Sequence, residues 1–455
     1  MTTTNKTIDP LIEQMDEVKD RVAKVLELAK SLGADGAEVA MSRQQGLSVG
    51  TRLGEVENVE FTNDGALGIT VYQQGRKGSA STADLSEKAL SQAVEAAVNI
   101  AKYTSVDDCS GLADKELLAM QSKDLDLYHP KALTTEQAID IAKACEQSAL
   151  ESDKRITNSD GASLDCFSGF KVYGNSHGQL VAYPSSRHSL SCVVIAGSDD
   201  EMQRDYAYDV HRDFSLLESG TSIGKKAAHE VISRLNPQKL STMKVPVLFR
   251  ADIANTLWGH FIAAISGGNL YRKSSFLLDA LGKEVFPEFL SIQERPHILK
   301  ALASSAFDSE GVATTDRDII IDGALQTYLL TSYSARKLGL TTTGHAGGIH
   351  NWLVNTKNAQ HSGDFDAMLK TLGTGLLVTE LMGQGVNVVN GDYSRGAAGF
   401  WVENGEIAYP VSEITIAGKL QDMFKGIVAV GSDIDMHGSI RTGSILIDEI
   451  QVAGQ

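Results

Sequence analysis

A chain of 455 residues is longer than one ordinary hydrophobic core organises, so about two to four units are expected. With 42% hydrophobic and 22% charged residues the composition is that of a folded globular protein, which excludes disorder over most of the length. A formal charge of −17 opposes phosphate backbones and anionic membrane surfaces, so neither nucleic acid nor a membrane is expected as a partner.

Residues 1–10 are polar and lack a basic stretch followed by an apolar one, so no signal peptide is read, and no run of about 18 apolar residues occurs anywhere. Glycine is abundant (42) and proline scarce (8), which favours strands that keep their N–H donors between tight turns. The four cysteines, Cys109, Cys145, Cys166 and Cys192, form no CxxC pair, and their scarcity points to a reduced, cytoplasmic protein.

Met15, Val18, Val22, Val25, Ala29 and Leu32 recur at helical spacing and predict an amphipathic helix closed by Gly33. Short β-prone runs follow at 37–40, 47–51, 56–61 and 67–72, separated by turns that include Asn63-Asp64-Gly65 and Gln74-Gly75. A second helix starts at Ser86, its N-cap, and runs through Leu90, Val94, Ala97 and Ile100. These elements form an N-terminal α+β domain, 1–112.

The polar, acidic stretch 111–126 reads as a linker. Thr134 and Gln137 have capping-box spacing and open a helix through Ile141, Cys145 and Ala149. Strands at 170–173, 180–183, 189–195 and 206–210, with a turn over 175–178, precede a helix at 222–235 that Ser222 is expected to cap. Asn236-Pro237 bounds this central domain, 113–237. The helix-then-strands order repeats that of the first domain, which is compatible with an internal duplication, although no repeated motif establishes one.

The third domain, 238–455, begins with an apolar strand at 245–249 and a helix over 253–265. Asn404-Gly405 between strand-like runs is the strongest hairpin signal in the chain, and Asp322-Gly323 is a second. Such dense hairpins predict a folded-over sheet. The expected fold class is α+β: N-terminal α+β units followed by a β-rich, antiparallel, barrel-like C-terminal domain.

No motif declares a catalytic centre. The His229-Glu230 pair is followed by Ser233 and Arg234, neither of which supplies the second imidazole of a zinc helix, so it reads as helix surface. His345 and His350 flank a Gly-rich loop without a local carboxylate or cysteine, which favours a structural or ligand-contact role over a metal. Gly220 to Gly224 spells GxSxG, but no buried strand precedes it, so a nucleophile elbow is not read. The glycine pairs at 373–375 and 383–385 complete no nucleotide-binding pattern. Arg272-Lys273 and Arg336-Lys337 read as solvated surface or as capture points for an acidic group.

Three long strings carry a resemblance: residues 52–58 (RLGEVEN) with 64–68 (DGALG), 341–352 (TTTGHAGGIHNW) and 391–418 (GDYSRGAAGFWVENGEIAYPVSEITIAG). Together with the regions around 205–208 and 267–268, they resemble the PmbA/TldE proteins of the family once named modulators of DNA gyrase, over essentially the whole chain. The resemblance implies a two-subunit, metal-dependent peptidase linked to maturation of a peptide antibiotic and degradation of a small antitoxin. In that family a TldD-type subunit carries zinc on a HExxxH helix with a later cysteine, and the gyrase name reflects indirect effects. Here the corresponding helix reads Gly259-His260-Phe261-Ile262-Ala263-Ala264, so both ligand positions lack a donor and His260 stands where the glutamate would be. No cysteine follows Cys192.

What the resemblance implies is therefore a chain with no catalytic and no metal-ligating residue of its own. Zinc would be carried by a TldD-type partner, and unfolded peptides or small proteins would be the substrates. His345, His350, Asp392 and Arg395 are the residues expected to line a shared peptide cavity. An autonomous metalloprotease with an unrecognised metal site and a peptide-binding adaptor without activity are the alternatives. A homodimer in isolation is compatible with each.

Overall fold

The structure, a computed structural model, describes residues 9–198 and 202–454; the N-terminal segment 1–8 lies outside the described residues. The first elements are α1 (Pro10–Ser31), β1 (Gly36–Arg52), β2 (Glu55–Gln73), β3 (Arg76–Thr82) and α2 (Glu87–Tyr103). The same order returns as α3 (Thr135–Leu150), β4 (Ile156–Asn175), β5 (Leu180–Ala196), β6 (Gln203–His211) and α4 (Gly220–Ser233). The six strands make one antiparallel sheet, ordered β3-β2-β1-β4-β5-β6. Duplication of a helix–three-strand–helix unit is thus visible in the topology, with β1 and β4 paired at the centre.

Local chemistry explains the helices. Ser86 accepts from Ala89 N, and Thr134 and Gln137 complete the expected capping box. At α4 the cap is Ser219, which accepts from Ser222 N, while Ser222 itself donates to Glu218. The expected turn at Asn63-Asp64-Gly65 is instead the interior of β2, paired with Gln45, Gln44 and Arg43. The long register with β1 overrides that local turn chemistry, and the reversal occurs at Leu53-Gly54, both with positive φ (50° and 78°). Both amides of this turn donate to the buried Glu146 carboxylate on α3, at 2.7 and 3.1 Å.

Alternation assigns the two faces of the sheet. Val39, Met41, Leu47 and Val49 point to the four helices, where two apolar clusters form under α1/α2 and α3/α4. Ala40, Ser42 and Lys171 point the other way, towards the third domain. The stretch read as a linker is part of this junction. Leu118 bridges Val312, and Ala119 N donates to Gly311 O at 2.9 Å. Arg336 Nη2 donates to Leu112 O and Asp114, and Lys337 pairs with Asp107. That basic pair therefore clamps the stretch and is neither free surface nor an anion trap.

The third domain runs β7 (Met243–Phe249), α5 (Ala251–Ala264), α6 (Gly267–Tyr271), β8 (Leu290–Glu294), β9 (Arg317–Ile321), β10 (Ala324–Leu325), α7 (Ser332–Leu338), β11 (Trp352–Thr356) and α8 (Phe365–Leu372). It continues as β12 (Gly375–Met382), β13 (Val386–Asn387), β14 (Asp392–Glu403), β15 (Glu406–Lys419), α9 (Leu420–Lys425), β16 (Ile427–Val430), β17 (Ile440–Arg441) and β18 (Ile445–Ala453). Strands β12-β7-β18-β15-β14 close on themselves through β12–β14 pairing, with β7–β12 the one parallel contact in the ring. A smaller sheet, β10-β9-β8-β11-β17, stands beside it. Both expected hairpin turns are present, with Asn404-Gly405 and Asp322-Gly323 at positive φ. On α5, Phe261 meets Phe286, Trp352 and Phe424 edge to face, at 4.8, 6.2 and 5.9 Å between centroids. Among the described residues no helix is long and apolar enough to cross a membrane.

A second bond joins the domains. His437 Nδ1 lies 2.6 Å from Asp435, and its Nε2 lies 3.1 Å from Asp209 on β6, whose same oxygen is 3.3 Å from His211 Nε2. The Tyr208 ring stacks obliquely 5.0 Å from the imidazole. Hydrogen bonding to Asp435, opposed by burial and reinforced by Asp209, raises the His437 pKa above its ordinary 6.5. Because the folded value is the higher one, this contribution is complete below pH about 6.5 and is lost as pH rises through the folded value. The urea midpoint of the wild type should therefore fall more steeply between about pH 6 and pH 8 than that of His437→Gln. Parallel slopes would show that the imidazole carries no linkage.

Candidate functional site

Helix α5 buries Ala254, Leu257, Trp258, Phe261 and Ala264 at three- and four-residue steps, which turns Gly259 outward and leaves His260 at the margin. A Cβ at Gly259 would meet nothing within 4 Å, whereas Ala264 is wholly buried in the core. His260 stands edge-on to Tyr393 of β14, 5.9 Å between centroids. Arg395, two residues on, shares that face of the strand. His260 Nε2, Tyr393 Oη and Arg395 Nε are all buried without a hydrogen-bond partner. Burial and the Arg395 guanidinium lower the His260 pKa, and burial pushes the Tyr393 phenol up to about 12.

The cluster is therefore a neutral imidazole, a phenol and a guanidinium without a carboxylate. It is rich in donors and does not fit zinc, which needs several imidazole, thiolate or carboxylate ligands. Neither Gly259 nor Ala264 has a donor atom, and among the described residues no three His, Cys, Asp or Glu side chains converge as a metal site. Glu230, of the His229-Glu230 pair, is taken up by Arg250 at 2.6 Å, and Arg250 also holds Asp252.

The loop carrying His345 and His350 is folded around a carboxylate that its own sequence does not supply. Glu294, from β8, accepts from His350 N at 2.6 Å and lies 2.8 Å from His345 Nε2, and all three residues are buried. His345 Nδ1 meets Thr343, and the two imidazoles lie 6.0 Å apart. Burial lowers the His350 pKa. Asp308 accepts from Ala346 N, Glu310 N and Val312 N, and burial pushes its carboxyl up to about 6. His350, Asp308, Arg212 and Lys171 line a cavity of about 420 Å³ between this loop and the open face of the six-stranded sheet.

The four residues expected at one cavity fall into three places. His350 lines the cavity, while His345 lies behind it on Glu294. Asp392 opens β14 in an exposed ion pair with Lys419 at 2.5 Å, which lowers its pKa, and Arg395 belongs to the His260 cluster. No hydrogen bond, ion pair or ring contact links these places among the described residues. Glu294 and Asp308 escaped the sequence reading because each lies tens of residues from the loop it organises, with no local signal.

Replacing His345 by leucine leaves the buried Glu294 carboxylate with one donor fewer. His345→Leu should lose about 2–4 kcal/mol in urea unfolding. A loss within about 0.5 kcal/mol would show that the imidazole is not a structural partner of Glu294.

Comparison with known proteins agrees with this architecture. Family models of the PmbA/TldA metallopeptidase match in three consecutive parts: domain 1 at residues 37–101, the central domain at 128–235 and the C-terminal domain at 242–454. The chain is 59% identical to the metalloprotease PmbA homolog of Haemophilus influenzae (97% of each chain) and 57% identical to metalloprotease PmbA of Escherichia coli O157:H7 (99% of each). It is also similar, at 22% identity over 99% of each chain, to the metalloprotease TldD homolog of H. influenzae. The crystal structure of a candidate modulator of DNA gyrase from Bacteroides thetaiotaomicron superposes with TM-score 0.91 at 29% identity, over 97% of this chain and 99% of that one. TldE from Thermococcus kodakarensis shares the fold, with TM-score 0.79 at 20% identity over 95% and 100% of the two chains. By sequence and by structure, the chain belongs to the PmbA/TldD metallopeptidase family.

Proposed function

We propose that this chain is the PmbA/TldE-type, non-catalytic subunit of a zinc-dependent cytoplasmic peptidase, paired with a TldD-type subunit that holds the metal. The observation that carries the reading is the face of α5. Where a zinc helix of the family sets two imidazoles and a glutamate, this helix has an open Gly259, a buried Ala264 and a neutral His260. The relatives named metalloproteases support the peptidase class, and the existence of TldD homologs in the same family supports a related partner. In this reading the chain helps to enclose unfolded peptides, with backbone hydrogen bonds from strand edges holding them. We assign His345, His350, Asp392 and Arg395 to the peptide-handling side, His350 and Arg395 by direct contact, His345 through Glu294, which holds the His350 amide, and Asp392 from the exposed start of β14.

Peptidase activity and zinc content measured on this chain, on a TldD-type subunit and on their mixture test the proposal. Activity is expected only in the mixture, with about one zinc per pair, carried by the TldD-type subunit. Stoichiometric zinc and cleavage by this chain alone would overturn it.

A further inference from the structure

Residues 55–66 of β2 hydrogen-bond only to β1; β3 joins β2 at Leu67, and no described residue pairs with the outer edge before that point. Val56, Val59 and Phe61 lie opposite Thr51, Val49 and Leu47, so they belong to the helix-covered face. Their partners are buried beside α3, yet Phe61 is 70% exposed, and Leu53, Val56 and Val59 are exposed too. Four large apolar side chains within nine residues thus border an unpaired strand edge. Soluble proteins usually blunt such an edge with lysine or proline, and residues 53–66 contain neither. The edge is also held in place, because the Glu146 carboxylate fixes both amides of the turn that begins it.

The second repeat shows what the fold does with the corresponding edge. Residues 180–187 of β5 likewise precede the point where the outer strand joins, at His188. There the chain's own 125–129 segment runs alongside: Leu127 O accepts from Ser186 N at 2.9 Å, and Leu125 and Leu127 are buried beside Val181. Among the described residues no segment does the same for β2.

We propose that the 55–66 edge of β2 receives an extended segment of the TldD-type partner, added as a further strand and alternating apolar with basic residues. This rests on the pairing proposed above. Charge selects the occupant. Glu55, Glu57, Glu60 and Asp64 stand on this edge with no Lys or Arg between 53 and 66. A second copy of the same edge would set carboxylates against carboxylates, whereas a basic strand is attracted.

Full-length variants co-produced with a TldD-type subunit test this by sedimentation and by hydrogen exchange. Val59→Ser/Phe61→Ser and Glu57→Lys/Glu60→Lys should each weaken the pair about tenfold or more, while keeping the unfolding midpoint because these side chains are exposed. Amides of 55–66 should gain protection in the wild-type pair, and added salt should weaken it. If the pair forms but both variants assemble like the wild type, the edge assignment is overturned and the pairing stands. If wild type forms no pair, both fall. A wild-type homodimer lost in the same variants would assign the edge to a second copy and overturn the choice of partner.

Discussion

The antiparallel pairing of β1 with β4, unbroken from Glu38 opposite Asn175 to Thr51 opposite Ala162, is the constraint on which the N-terminal half depends. It joins two helix–three-strand–helix repeats into one sheet, so neither repeat has an inner edge left to cover. A slip of one residue would exchange Val39, Met41 and Val49 for Ala40, Ser42 and Ser48 on the helix face. With the register set, all four helices lie on one side and the other side is free for the third domain. Glu38 shows the consequence: facing that domain, it accepts from Tyr72 and Tyr173, and burial raises its pKa.

The third domain is organised around α5. Its buried aromatic face is surrounded by Phe286, Trp352 and Phe424, while Trp258 donates from the same helix to Thr442. The packing face of this helix is complete, and neither its outward Gly259 nor its buried Ala264 carries a side-chain donor. Packing decides what each position can hold: Ala264 is committed to the core, whereas Gly259 and His260 stand outside the packed face.

Several arginines in this acidic chain hold its parts together. Arg234 bonds Asp205 and Glu380, Arg250 bonds Glu230 and Asp252, and Arg336 gathers the Gly111 and Leu112 carbonyls and the Asp114 carboxylate. Arg212 crosses from the sheet to Leu302 O. No carboxylate meets Arg395 among the described residues, and its Nε, like those of Arg212 and Arg441, is buried unpaired.

Periodicity and caps were legible because they act within a few residues. The buried stripe of α1, the Ser86 cap, the Thr134 capping box and the Asn404-Gly405 hairpin each follow from local sterics and hydrogen bonding. That Gly259 and Ala264 carry no side-chain donor is likewise a property of the residues in any fold. Long-range pairing decided the rest. It turned Asn63-Asp64-Gly65 into strand, made two sequence units one sheet and closed the ring through a parallel β7–β12 contact that no hairpin signal encodes. It also brought Glu294 to His345 and left His260, Tyr393 and Arg395 together without an acid. Single-sequence patterns report which face of an element is apolar; which distant element covers that face, and which edge stays bare, depends on contacts between residues far apart in the chain.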